Sequence, residues 1–84
     1  MRELLTGERE VFGMRFAYYL LAENLNGRDA YGVRICGPAE EIAVRDLSSS
    51  PQTIQTLTKR LMDGLVTPVT LEDIVEDWLA EAGA

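Results

Sequence analysis

The side chains that do most biological chemistry are scarce in this chain. It has no histidine and one cysteine, Cys36. The commonest general base near neutral pH is therefore missing, and so is the commonest metal ligand. Cys36 is the single thiol available as a nucleophile, and Arg34 is nearby in sequence. A cation beside a thiol favours the nucleophilic thiolate in general. No general base accompanies the pair, so Cys36 reads first as a small apolar strand residue. A lone cysteine also rules out an intrachain disulfide and fits a reducing cytoplasm.

Carboxylates are the other candidate chemistry. Glu72, Asp73, Glu76, Asp77 and Glu81 crowd one C-terminal segment. On a helix, Glu72 with Glu76 and Asp73 with Asp77 stand four residues apart and share a surface. Hard cations such as Mg²⁺ or Ca²⁺ take oxygen ligands. One helix face, however, offers two carboxylates per site and no cage. Acids early in a helix also complement the positive end of its dipole, so a solvated acidic face is the simpler reading. Mimicry of nucleic-acid phosphate needs a broader carboxylate array. The glycines build no phosphate loop: none precedes Lys-Ser or Lys-Thr, and G-x-G-x-x-G is absent. The expectation is a non-enzyme with no catalytic, cofactor-binding or metal-ligating residue.

The elements that position these groups are more explicit. Asn26-Gly27 is the dipeptide preferred in a two-residue type I′ hairpin turn. Centred there, the pairs are Leu25 with Arg28, Ala22 with Tyr31, Leu20 with Val33, and Tyr18 with Ile35. Strand side chains alternate between faces, so Tyr18, Leu20, Ala22, Tyr31, Val33 and Ile35 share one. A one-residue slip would scatter them. Gly37-Pro38-Ala39-Glu40 is a second hairpin loop, with Pro38 presetting φ. It places Ile35 opposite Ile42 and Val33 opposite Val44. Glu3 to Val11 can add a further strand, turning at Phe12-Gly13 and setting Glu10 against Arg15, although Gly7 interrupts it.

Beyond residue 48 the apolar period becomes helical. Ser49 or Ser50 caps, Pro51 suits the first turn, and Ile54, Leu57, Leu61, Met62 and Leu65 repeat at helical spacing. Gly64 is a left-handed stop. Thr70 caps a second helix, with Asp73 as its capping-box acid and Val69 stapled to Ile74. That helix carries Leu71, Ile74, Val75, Trp78 and Leu79. The result is one α+β domain over residues 1–84: an antiparallel meander of three to four strands within 3–47, then helices near 51–63 and 71–81 packed on one face. The expected core is Tyr18, Leu20, Tyr31, Val33, Ile35, Ile42, Val44, Ile54, Leu57, Leu61, Ile74, Val75 and Trp78.

The face turned away from the helices should show Arg15, Ala17, Tyr19, Leu21, Gly32, Arg34, Cys36, Ala43, Arg45 and Leu47. Tyrosine among arginines can stack single-stranded bases, so Tyr19, Arg34 and Arg45 mark one alternative, binding to nucleic acid or a ribonucleoprotein. The chain carries 8 basic and 14 acidic residues, a net charge of −6, and phosphate backbones repel it. Aromatic, aliphatic and arginine side chains together suit a protein interface better. Tyr19, Leu21, Arg34, Ala43, Arg45 and Leu47 are the candidate interface. Its partner is a second copy, as a homodimer, or a different protein. In 84 residues, 46% of them hydrophobic, the core is small, and a second buried surface would support it. No stretch has the run of about 20 apolar residues that a membrane helix needs, and nothing at the start reads as a targeting segment.

Three segments carry a resemblance: Tyr18-Tyr19-Leu20-Leu21, Tyr31-Gly32-Val33-Arg34-Ile35, and Val66 through Asp77. Across about residues 14–80 the chain is similar to a family of small uncharacterised proteins from clostridia and related Firmicutes. The resemblance implies a bacterial cytoplasmic origin. That family brings no activity and no site residues.

Overall fold

A computed structural model describes residues 1–83. Strands β1 (Arg2–Val11), β2 (Met14–Leu25), β3 (Arg28–Cys36) and β4 (Glu41–Ser48) precede helices α1 (Pro51–Asp63) and α2 (Pro68–Gly83). The strands form one antiparallel sheet in the order β1-β2-β3-β4. Turn chemistry sets the register. Asn26 and Gly27 both take positive φ, as a type I′ turn requires, and every expected β2–β3 pair from Leu25 with Arg28 to Tyr18 with Ile35 is present. The loop after β3 closes with the Gly37 amide donating to the Glu40 carbonyl at 2.8 Å, leaving Ile35 opposite Ile42 and Val33 opposite Val44.

Residues 2–11 are a full edge strand, with Glu10 opposite Arg15. The interruption near Gly7 is a bulge: Thr6 is the extra residue between the Leu5–Tyr19 and Gly7–Tyr18 pairs. Met62 of α1 rests on Gly7, so closely that a Cβ there would lie 2.8 Å from the methionine methyl.

A second irregularity occupies β4. Three residues, Arg45 to Leu47, lie between the Val33–Val44 and Tyr31–Ser48 pairs, where β3 has only Gly32. Asp46 takes a φ of 54° to make this bend. A Cβ on Gly32 would meet the Val44 carbonyl oxygen at 2.2 Å and the Arg45 Cα at 2.9 Å. Glycine is required there because another backbone occupies the side-chain position.

Helix α1 begins as its sequence dictates. Ser50 accepts the Thr53 amide at 3.3 Å, and Pro51 opens the first turn. Its end differs from expectation. Gly64 has φ of −87°, and Leu65 takes the left-handed conformation at 52°. The Leu65 amide then donates to Met62 and the Val66 amide to Leu61, the paired bonds of a Schellman motif. The start of α2 also differs. It begins at Pro68, three residues before the expected 71, because proline's fixed φ suits a first turn. Thr70 lies inside the helix with its amide on the Thr67 carbonyl. The Thr70 cap and the Val69–Ile74 staple are therefore corrected: Val69 is exposed and Ile74 is 39% exposed.

α1 lies across all four strands, whereas α2 lies beside β4. The core joins Val11, Phe16, Tyr18, Leu20, Val33 and Ile35 of the sheet to Ile54, Leu57, Leu61 and Met62 of α1 and Leu71 and Val75 of α2. Tyr31, Ile42, Val44 and Trp78 pack against it half-buried. Ile74 leaves the core because a helix beside the sheet edge buries a narrower stripe than one lying over it. The Tyr18 hydroxyl donates to the Val66 carbonyl at 2.7 Å, tying the centre of the sheet to the loop between the helices. Burial pushes the Tyr18 phenol upward from its ordinary pKa.

Gly32→Ala should destabilise the protein by about 1–3 kcal/mol in chemical denaturation, because β4 must back away from β3. A change of only a few tenths would mean that the bulge does not press on this position. Leu65→Gly should gain about 1 kcal/mol by removing the left-handed penalty from a half-exposed residue.

Candidate interaction surface

The sheet face without helices is built from cross-strand rows. One row reads Leu5, Tyr19, Arg34, Ala43 and the next reads Glu3, Leu21, Gly32. Alternation therefore turns Tyr19, Arg34 and Ala43 to the expected face. Ala43 is exposed, while Tyr19, Arg34 and Cys36 are half-buried.

Arg34 lies over the Tyr19 ring, its guanidinium carbon 5.3 Å from the ring centre. The same guanidinium contacts Glu3 on β1 at 3.2 Å and pairs with Glu41 on β4. One cation in the middle of the sheet thus holds a carboxylate from each edge. Arg45 reaches across β3 to Glu23 on β2 with Nε on Oε1 at 2.9 Å, and only 8% of the Glu23 side chain stays exposed. Arg28 adds a two-point contact to Asp46 at 3.0 and 3.2 Å. Each carboxylate of Glu23, Glu41 and Asp46 is held below its ordinary pKa, first by the hydrogen bond from its arginine. Arg28, Arg34 and Arg45 are raised for the same reason.

Two expected interface residues are placed differently. Leu21 is on the helix-free face but only 2% exposed. It sits opposite Gly32, where the β4 bulge closes in, and Ala30, paired with Glu23 one row further, is fully buried. Leu47 packs against the main core, because the bulge breaks the alternation that would have turned it outward. Cys36 keeps its thiol near the Gly37 carbonyl and Glu41 at 3.9 and 3.8 Å. The acids of α2 from Glu72 to Glu81 are exposed.

Other surfaces were not anticipated. An apolar cleft of about 370 Å³ opens between α1 and α2, floored by Leu57, Leu61, Val66, Ile74 and Trp78 and rimmed by Arg60, Asp77 and Glu81. A groove of about 440 Å³ lies between β1 and α1. Phe12, in the first β-turn, is 96% exposed with φ of 52°. The Phe12-Gly13 turn pointed to that exposure, since the tip of a two-residue hairpin has no neighbour to cover it.

The depressed carboxylates give a pH signature. Their ion pairs contribute fully above the ordinary carboxylate range of about pH 4–4.5 and fade as pH falls through it toward the lower folded values. Thermal unfolding followed between about pH 3 and pH 7 should show an acid-side loss of melting temperature. The loss should be smaller in the double variant Glu23→Gln, Arg45→Gln. An identical loss would mean that the Arg45 bridge does not stabilise the fold.

Among the described residues, no helix is long and apolar enough to cross a membrane. No curated protein and no solved structure matches the chain. A family model, DUF6514, described as a family of unknown function, matches residues 5–81. The match spans nearly the whole sheet and both helices, and the chain belongs to that family.

Proposed function

We propose that this protein is a small non-enzymatic protein-interaction or regulatory module that docks a partner on its helix-free sheet face and the adjoining β1 edge. The observation that carries the reading is the state of the arginines. Arg34 and Arg45, which would have to meet phosphates in a nucleic-acid binder, are bound to Glu3, Glu41 and Glu23 of the same chain. Phosphate binding would have to break those pairs against a net charge of −6. The apolar side chains that the face leaves accessible are Tyr19, Ala43 and, at the β1 edge, Leu5. A flat, largely neutralised surface of this kind suits a protein partner. The chain holds no histidine, and its lone thiol lies beside a carboxylate, which supports a binding role over a catalytic one. The resemblance to small clostridial proteins and the unpaired cysteine support a bacterial cytoplasmic setting.

Electrophoretic mobility shift with single-stranded RNA should give no complex below about 100 μM protein at moderate salt. A salt-dependent complex abolished by Arg34→Gln with Arg45→Gln would replace this reading with the nucleic-acid one. Affinity capture from the source organism should retain a protein partner that is lost with Tyr19→Glu and Ala43→Glu.

A further inference from the structure

The free edge of β1 narrows what that partner can be. β1 pairs with β2 on one side and, among the described residues, borders no strand of its own chain on the other. Its two halves differ. Past the Thr6 bulge, Glu8, Arg9 and Glu10 put charge on both faces. Bulges and charged side chains are the usual devices that keep an edge from pairing. The half before the bulge has apolar residues instead: Leu4 and Leu5 are 46% and 57% exposed. Leu4 also borders the groove between β1 and α1, together with Thr6, Leu20, Lys59, Met62 and Asp63.

We propose, resting on the interaction-module reading, that a second copy of this chain occupies this edge. Residues 2–6 of the two β1 strands pair antiparallel about a two-fold axis at Leu4 and join two sheets into one. Leu4 then meets Leu4 of the second copy, Glu3 meets Leu5, and Arg2 meets Thr6. The faces agree. Leu4 pairs with Leu20 on the helix side, whereas Glu3 and Leu5 pair with Leu21 and Tyr19 on the other. Neighbouring registers are worse. An axis at Glu3 opposes two carboxylates, which is destabilising. An axis at Leu5 sets Glu3 against Gly7 and carries the ladder through the bulge into the charged half, whereas the Leu4 axis ends at Thr6.

Charge points to the same occupant. Among the described residues, neither Arg2 nor Asp63 forms an ion pair within its own chain. Of the described residues, Asp63 is the one acid lining the groove, where Thr6, Arg9 and Lys59 also lie, and Thr6 is the residue that faces Arg2 of the second copy. The two-fold therefore makes this Arg–Asp contact twice, while each Leu4 fills the mouth of the groove. Five paired residues per strand fall short of a standard interface, so the dimer should dissociate in the range of about 1–100 μM.

Sedimentation equilibrium over that range should show a monomer–dimer equilibrium. Leu4→Lys should weaken it by about tenfold or more, with far-UV circular dichroism unchanged. Asp63→Arg should weaken it too, and adding Arg2→Asp should restore it. In a Cys36→Ser background, Leu4→Cys should oxidise to a covalent dimer at least about tenfold faster than Glu8→Cys, since only position 4 lies on the axis. A wild type that stays monomeric throughout overturns the proposal, as does a dimer in which Leu4→Cys crosslinks no faster than Glu8→Cys. If that monomer still captures a host protein through Tyr19 and Ala43, the homodimer alone fails. If it captures none, the interaction module fails with it.

Discussion

A four-stranded sheet has two faces, and a chain with two helices on one side must close the other face with its own side chains. Most of the remaining structure follows from that constraint. α1 covers all four strands, and its apolar stripe from Ile54 to Met62 makes the core with the inward strand residues. The opposite face has no second layer to bury a continuous apolar surface. It is finished instead by arginines laid flat. Arg34 joins the two edge strands over Tyr19, and Arg45 crosses β3 to Glu23. Exposed ion pairs contribute little singly. Their geometric effect is the larger one, because they neutralise the carboxylates that would otherwise crowd this face and cover the residues between them.

The register of the sheet was legible in the sequence because two independent signals agree on it. Asn26-Gly27 sets the turn, and the alternation of Tyr18, Leu20, Val33 and Ile35 sets the face. The first helix start was legible for a similar reason, since Ser50 and Pro51 act within one turn of the chain. What was not legible depends on contacts between distant residues. Nothing local to β4 shows that its backbone fills the side-chain position of Gly32. Without that contact simple alternation turns Leu21 and Leu47 outward, whereas the fold buries the first and turns the second to the core. Gly32 carried the signal, as a glycine inside a strand, but not the identity of what approaches it.

Local rules also competed at the second helix. Thr70 and Asp73 have the spacing of a cap, and Pro68 has the chemistry of a first helical residue. The proline prevails because a start there brings Pro68, Leu71 and Val75 to one buried stripe. The candidate site was legible only in part, for the same reason. Tyr19, Arg34 and Ala43 follow from alternation, while the cleft beside Trp78 depends on where α2 lies relative to α1.

Two features, involving three residues, leave large apolar side chains in water. Phe12 adopts a left-handed conformation that favours asparagine or glycine, and its ring is almost wholly in water. Leu4 and Leu5 stand on an uncovered strand edge. Both features fall on β1 or the turn that ends it, at one margin of the sheet. The arginine pairs rigidify the interior of the outer face and leave its β1 margin with the apolar surface. The bulge at Thr6 then divides that margin into a charged half that resists pairing and an apolar half that does not. The division arises from a single extra residue: a strand that bends away from its own edge direction cannot offer a straight ladder along its whole length. Along β1 the apolar stretch of the edge is therefore confined to the few residues before the bulge.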